Sequence, residues 1–265
     1  MFYIPTSLIL TMRALVLSDI HGNLDALDAV LAAAPQHDVV WNLGDVVGYG
    51  ASPNEVIDKV REIASIHVRG NHDRVCCGVT PTAGFNPVAA AAAEWTLNQL
   101  RPENLDWLRN LPQGPIAVGD DGRICCAHGS PLDEDEYILT LRDAWQPLKA
   151  ASQFVTFFGH THVQGGFLVG KDGWMDIYPR YKSSEGAQTW TLKLDHTDSK
   201  ARALINPGSV GQPRDMDWRA AFVLYDDAAG EVEFHRIPYE IRTAQARIIA
   251  AHLPRRLADR LAEGR

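Results

Sequence analysis

Five short apolar runs in this chain, over residues 14–17, 39–43, 66–68, 124–127 and 154–158, each stop at a cluster of carboxylate, amide or imidazole side chains. The clusters are Asp19-Ile20-His21, Gly44-Asp45, Gly70-Asn71-His72-Asp73, His128 and Gly159-His160-Thr161-His162. The runs are β-branched, aromatic or otherwise apolar, the pattern of strands buried on both faces. In open α/β sheets, functional groups gather where strands end and loops begin. One rim of such a fold can therefore assemble all five clusters.

Strand-like and helix-like stretches alternate through the first third of the chain, the signature of an α/β protein. Asn23 stands in a helix-cap position ahead of an apolar face of Leu24, Leu27, Val30 and Leu31. Ser52-Pro53-Asn54-Glu55 offers a capping box with proline at the first helical position. Asn86-Pro87 repeats the cap-then-proline start before the alanine-rich stretch 88–100. From Ile116 onward, short strands separated by Gly and Asp turns take over, at 116–118, 124–127, 154–158, 167–169, 190–194, 222–225 and 232–235. Residues 240–252 and 255–262 read as helices with Arg-rich solvated faces. The stretch 170–188 is the least periodic and is the expected variable loop at the rim of the site.

A chain of 265 residues with 46% hydrophobic content can bury one full core, and the expectation is a single domain over 1–265. The strand pattern begins at Met12, which makes residues 1–11 a dispensable extension in this reading. The formal charge of −8 argues against a basic surface that tracks long duplex nucleic acid. It does not exclude a small phosphate ester, because bound cations can invert the local field of a site. No apolar run reaches the roughly 18 to 20 residues of a membrane span. The cysteines come as adjacent pairs, Cys76-Cys77 and Cys125-Cys126, without the spaced framework of a disulfide-rich secreted domain, and fit a reducing cytoplasm. Adjacency also lacks the C-x-x-C spacing of zinc sites, so packing explains them, with Cys125 and Cys126 facing opposite layers of a strand.

Attack on a phosphoester is hindered because nucleophile and ester are both electron-rich; two divalent cations about 3.5 to 4 Å apart remove the obstacle together. Such a pair needs a shared carboxylate and mixed nitrogen and oxygen ligands on each side. Asp19, His21, Asp45, Asn71, His128, His160 and His162 supply that set. Residues two apart on an extended segment point the same way, so Asp19 and His21 can grip one ion. His160 and His162 are also two apart, but a turn after the strand would send them to different ions. His37, His67, His196, His235 and His252 have no ligand-like neighbours and read as surface or core histidines.

In order, these clusters spell DxH, GDxxxxG, GNH[DE], H and GHxH, and the chain resembles the calcineurin-like metallophosphoesterases from Asp19 to about Asp215. Residues 44–50, His128-Gly129-Ser130-Pro131 and 206–211 are similar to the small prokaryotic phosphodiesterase branch, predicted phosphoesterases related to diadenosine tetraphosphatases. The resemblance implies a four-layer αββα sandwich of two mixed sheets flanked by helices. It implies Asp19, His21, Asp45 and His162 on one metal, and Asp45, Asn71, His128 and His160 on the other. It also implies His72 as a general acid facing the leaving-group oxygen, a role that suits a side chain titrating near neutral pH. The expected function is hydrolysis of a small phosphodiester or phosphoanhydride by a metal-bridging hydroxide. Imidazole with carboxylate suits several transition metals; the oxygen share favours Mn or Fe over Ni, Co or Zn.

The chain departs from the Ser/Thr protein phosphatases of this superfamily, which read GDxVDRG where it carries Gly48 and Tyr49. Both the phosphate-binding arginine and the partner of the catalytic histidine are missing from that position, which demotes protein phosphatase activity. Asp73 reads equally as an orienting group for His72 or as a turn residue. Arg214, just beyond the glycine-rich loop, is the candidate for a bidentate phosphate contact, with a surface salt bridge as the alternative. Trp174, Tyr178, Arg180, Tyr181 and Lys182 have the types that clamp a base, but a hairpin surface explains them as well. Two other functions compete: phosphomonoesterase action on a small metabolite, and a non-catalytic interaction module that keeps the fold.

Overall fold

The computed structural model describes residues 12–119 and 122–265, so the extension expected over residues 1–11 lies outside the described residues. In chain order the first elements are β1 (Arg13–Leu17), α1 (Leu24–Ala33), β2 (Val39–Asn42), α2 (Pro53–Ile63), β3 (Ile66–His67), α3 (Asn71–Cys76), α4 (Pro87–Gln99) and α5 (Pro102–Arg109). Then follow β4 (Ile116–Val118), β5 (Ile124–Cys126), α6 (Leu141–Ala150), β6 (Val155–Phe157), β7 (Gly165–Gly170), β8 (Gly173–Ile177), β9 (Gln188–Lys193) and β10 (Arg202–Asn206). Strands β11 (Ala220–Asp226) and β12 (Glu231–Ile237) and helices α7 (Ile241–Ala250) and α8 (Arg255–Glu263) complete the chain.

The strands form two six-stranded mixed sheets, ordered β3-β2-β1-β11-β12-β9 and β4-β5-β6-β10-β7-β8. In the first, β1, β2 and β3 run parallel, with Leu15 opposite Val40 and Trp41 opposite Ile66. In the second, β5, β6 and β10 run parallel, with Cys126 opposite Phe157 and Leu204 opposite Thr156. Alternation along each strand sorts its side chains into layers. Ala14, Val16, Trp41, Val223 and Phe234 of the first sheet pack on Cys126, Val155, Phe157 and Ile205 of the second. On the outer face of the first sheet, Leu15, Leu17 and Phe222 meet Leu27 of α1, Ile57 of α2 and Leu257 of α8. Phe158, Phe167 and Leu204 cover the outer face of the second with Ala144 and Leu148 of α6. The result is the four-layer αββα sandwich expected from the sequence.

Local caps work where the side chain can reach. Asn86 accepts from the Val88 and Ala89 amides, both at 3.0 Å, and Asn23 accepts from Ala26 at 3.2 Å. Ser52 makes no side-chain cap, so the expected capping box does not form; proline at the first helical position starts α2 without it. Residues 170–188 differ from the expected loop, because they contain β8, whose Trp174 pairs with Val169 of β7. Trp174 stacks on Trp145 of α6 at 4.4 Å, and Tyr181 hydrogen-bonds Gln164 at 2.5 Å. Trp174 thus belongs to the outer layer with α6, whereas Tyr181 contacts the buried Gln164, two residues beyond His162.

Candidate metal centre

Each cluster leaves the end of a strand, and the local backbone turns sharply there. Asp19, His21, Asp45, His160 and His162 have φ of 54°, 51°, 54°, 66° and 60°, the left-handed region that costs a non-glycine residue of order 1–3 kcal/mol. Surrounding contacts enforce these turns: the His21 amide donates to the Asp45 carbonyl at 2.9 Å and the Asp19 amide to Gly44 at 3.0 Å. Because of the turns, His160 and His162 do not point the same way.

Donor atoms of Asp19, His21, Asp45 and His162 lie within 4.8 Å of one another, and those of Asp45, His128 and His160 form a second such group. Asp45 Oδ2 lies between the two, 3.6 Å from His21 Nε2 and 3.5 Å from His128 Nε2. Asn71, the first residue of α3, places Oδ1 3.3 Å from His128 Nε2. Gly70 makes this convergence possible, since a β-carbon there would stand 2.0 Å from Asp45 Oδ1 and 2.3 Å from its amide nitrogen.

The imidazole tautomers follow from the backbone. A carbonyl can only accept, so His21 Nδ1 donates to Val47 at 3.0 Å, His162 Nδ1 to Gln212 at 2.6 Å and His128 Nδ1 to Leu43 at 2.9 Å. His160 Nε2 likewise donates to the Asp135 carbonyl at 3.2 Å. In the neutral rings, each remaining nitrogen is a lone pair aimed at the centre. His21 Nε2 and His162 Nε2 thus face one another at 3.1 Å with no proton between them. His128 Nε2 faces the oxygens of Asn71 and Asp45, so it must carry a proton or a cation there. Acceptor against acceptor is repulsive unless a cation or a proton intervenes, and an imidazole whose second nitrogen donates to a carbonyl is the usual metal-ligand arrangement.

Protonation energetics agree. Burial holds His21 and His162 well below the ordinary imidazole range and takes His160 down to about 3. Burial pushes Asp45 upward, but the neighbouring imidazoles, His128 foremost, outweigh it and keep the carboxylate well below its usual range. His128 is the exception: burial opposes its charge, yet Asp45 and then Asp19 push it up to about 10. Burial raises Asp19 to about 7, against the charge of His128. The donor set therefore fits divalent cations.

Two groups, Asp73 and His72, differ from the sequence-based expectation, and Arg214 loses its alternative reading. Asp73 neither orients His72 nor faces solvent. It is fully buried and accepts from the amides of Asp45 at 2.8 Å, Val46 at 2.8 Å, Val47 at 3.2 Å and Gly70 at 3.0 Å. It thereby holds the Asp45 loop against α3. His72 does not titrate near neutral pH, because burial takes it down to about 4. Its Nδ1 is buried without a partner, and a β-carbon on Gly48 would lie 2.6 Å from that atom. The side chain missing at Gly48 is thus the one that would have met it. Arg214 makes no surface salt bridge among the described residues; its Nη2 lies 3.4 Å from the Tyr49 hydroxyl and 3.1 Å from Gln212 Oε1.

Tyr137 and the loop around Glu134 were not singled out from the sequence, and Tyr49 was noted there only as a departure from the protein phosphatases. Tyr49 packs on His72 at 4.4 Å and His21 at 4.7 Å, and Tyr137 stacks on His160 at 4.0 Å. Glu134 accepts from Arg69 Nη2 at 3.1 Å and pairs with Arg74; Asp135 accepts from Arg74 at 2.9 Å. This network fixes the carbonyl that orients His160. Beside the centre lies a cleft of about 340 Å3, whose walls include Asn71, His72, Phe85, Tyr137 and His160.

Two layers of helices around paired mixed sheets, with residues positioned for metal binding where parallel strands end, define an α/β sandwich of the metallophosphoesterase class. The chain belongs to the calcineurin-like phosphoesterase family, which it matches over residues 12–184. It is 32% identical to the protein MJ0912 of Methanocaldococcus jannaschii over 252 residues, 94% of this chain and 97% of that one. A metallophosphoesterase from Sphaerobacter thermophilus superposes with a TM-score of 0.81 at 39% identity, covering 96% of this chain and 100% of the other. The symmetrical bis(5'-nucleosyl)-tetraphosphatase of Yersinia enterocolitica is 33% identical over 129 residues, 44% of this chain and 41% of the relative.

Proposed function

We propose that the protein is a dinuclear metal-dependent hydrolase of small phosphodiesters or phosphoanhydrides, working as one domain whose ligands come from both sheets. The observation that carries this is the head-on approach of imidazole lone pairs, His21 Nε2 to His162 Nε2 at 3.1 Å, beside the shared carboxylate of Asp45. Asp19, His21, Asp45 and His162 would hold one cation, and Asp45, Asn71, His128 and His160 the other. Bound there, the cations would neutralise phosphate oxygens and make water nucleophilic near neutral pH. The oxygen share of the ligand set favours Mn or Fe, with Ni, Co and Zn next.

The remaining groups bind and orient. The His72 amide donates to Asp45 Oδ1 at 2.8 Å, which fixes both residues. Its ring stays neutral around pH 7 and presents an N–H to the leaving-group side as a hydrogen-bond donor. Arg214, attached to the same loop that orients His162, reaches toward substrate phosphate. Phosphoanhydride cleavage gains support from the tetraphosphatase relative. Protein phosphatase activity does not, since Gly48 leaves the His72 Nδ1 without its partner. Four buried, unpaired cysteines support a cytoplasmic setting, and no helix among the described residues is long and apolar enough to cross a membrane.

Elemental analysis of the purified protein, coupled to a panel of bis-aryl and mono-aryl phosphates, cyclic nucleotides, dinucleoside polyphosphates and short oligonucleotides, tests the proposal. Two ions per chain and turnover of diesters or anhydrides are expected. Preference for mono-aryl phosphate would make it a phosphomonoesterase; two bound ions without turnover of any ester would leave a non-catalytic module.

A further inference from the structure

The cleft at His72 shares Tyr49 and Asn86 with a larger cavity of about 850 Å3, whose far wall is α8 with Arg256 and Arg260. Tyr49 is nearly buried, with two imidazoles against its ring. The Arg260 guanidinium also lies over this ring, 5.9 Å from its centroid, and that of Arg214 at 5.8 Å. An aromatic face tolerates such cations, but it does not neutralise them. Among the described residues, Arg214 and Arg256 pair with no carboxylate, while Arg260 Nε donates to the main-chain oxygen of Arg265 and leaves its two Nη groups for the cavity. Asp259 and Glu263 line the same cavity, yet each already faces another arginine, Arg255 at 3.8 Å and Arg265 at 3.9 Å. Arg214 Nε is buried with no hydrogen-bond partner. Burial, with the charge of Arg214 and Arg256, lowers the pKa of Arg260, as expected of a cation crowded by two others.

We propose that Arg256 and Arg260 of α8, with Arg214 between them and the metal centre, form a second anion subsite that holds a further phosphate group of the substrate. The preferred substrate then carries at least two phosphate groups, one at the ligand cluster and one against α8, as an oligophosphate chain does and a simple monoester does not. Guanidinium forks match phosphate oxygens bidentately, and Arg256 and Arg260, four residues apart, share one face of the helix. The inference deepens the phosphoester reading and rests on it for which end of the substrate reacts.

The test is calorimetric binding of tripolyphosphate and of orthophosphate to the full chain after EDTA treatment, repeated on Arg256→Ala, Arg260→Ala and Arg260→Lys. Tripolyphosphate should bind the parent at least about tenfold more tightly than orthophosphate, the effect of one charge-assisted hydrogen bond. That ratio should fall toward one in both alanine variants and recover partly in Arg260→Lys. If Arg260→Ala fails to fold, Arg256→Ala carries the decision, because its side chain is exposed on the helix. A parent ratio near one, or a ratio unchanged by the substitutions, overturns the subsite whatever the protein hydrolyses. Loss of the ratio in a protein that hydrolyses no phosphoester would keep the subsite and sink the catalytic reading instead.

Discussion

Asp19, His21, Asp45, His160 and His162 adopt a backbone conformation that L-residues rarely take, and tertiary contacts hold them there. The main chain, and not side-chain rotamers alone, aims the donors at a common point. Asp45 is central, since its carboxylate serves both donor groups and also receives the His72 amide. Asp45→Asn should bind fewer than two ions per chain and lose hydrolysis by at least about 100-fold, the upper end seen for groups that merely orient ligands. Parent-like metal content and turnover would sink the shared-carboxylate assignment. A second prediction concerns protons. Against burial, Asp45 and Asp19 raise His128 to about 10, so the metal-free protein carries a proton there at neutral pH. A cation must displace it, and affinity should therefore weaken by about tenfold per pH unit as pH falls below 10. Calorimetry in buffers of differing ionisation enthalpy would register the released proton. Ligand-type residues were legible in the sequence because each closes an apolar run. Asp73 was not, because its partners Val46 and Val47 stand in another cluster, and neither was Arg260, whose neighbour Tyr49 lies far away in the chain.

Among the elements, the central strands were the most readable, since strands buried on both faces leave unbroken apolar runs. β1, β2 and β6 fall within a residue or two of their predicted spans. Helix α6 was hidden by Pro147 in its interior, although Thr140 and Asp143 form a capping box. Strand β8 was hidden by the glycines and aspartates of its flanking turns, and only its pairing with β7 makes it a strand. The loop after His128 was equally unreadable, because its structure depends on Arg69 and Arg74, about 60 residues earlier. That loop carries the Asp135 carbonyl that fixes His160. Glu134→Ala should free it and weaken the cation held by His128 and His160 by about 10- to 100-fold, the usual cost of losing an outer orienting group. The cation at Asp19 and His21 should be little affected. Stepwise metal titration would separate the two, and equal weakening of both would contradict the assignment.

At the scale of the whole molecule, the two sheets meet through Phe157, which is fully buried against Trp41 at 5.7 Å and Tyr225 at 5.2 Å. Phe157→Ala should cost about 3–5 kcal/mol in urea unfolding of the metal-free protein. Excess cation should restore part of this, about 2.7 kcal/mol at a free concentration 100 times Kd. A midpoint indifferent to cation would argue against a preformed centre. The four-layer order was legible through the resemblance to the calcineurin-like metallophosphoesterases, whereas the cavity against α8 was not, being built from segments distant in sequence. Each donor group draws on both halves of the sandwich: Asp19, His21 and Asp45 follow strands of the first, and His128, His160 and His162 strands of the second. A cation bound there would act as a rivet through two plates along one margin only. Loading should then slow amide hydrogen exchange in the turns at that margin, while the opposite ends of the strands go on breathing as they did before the rivet was set.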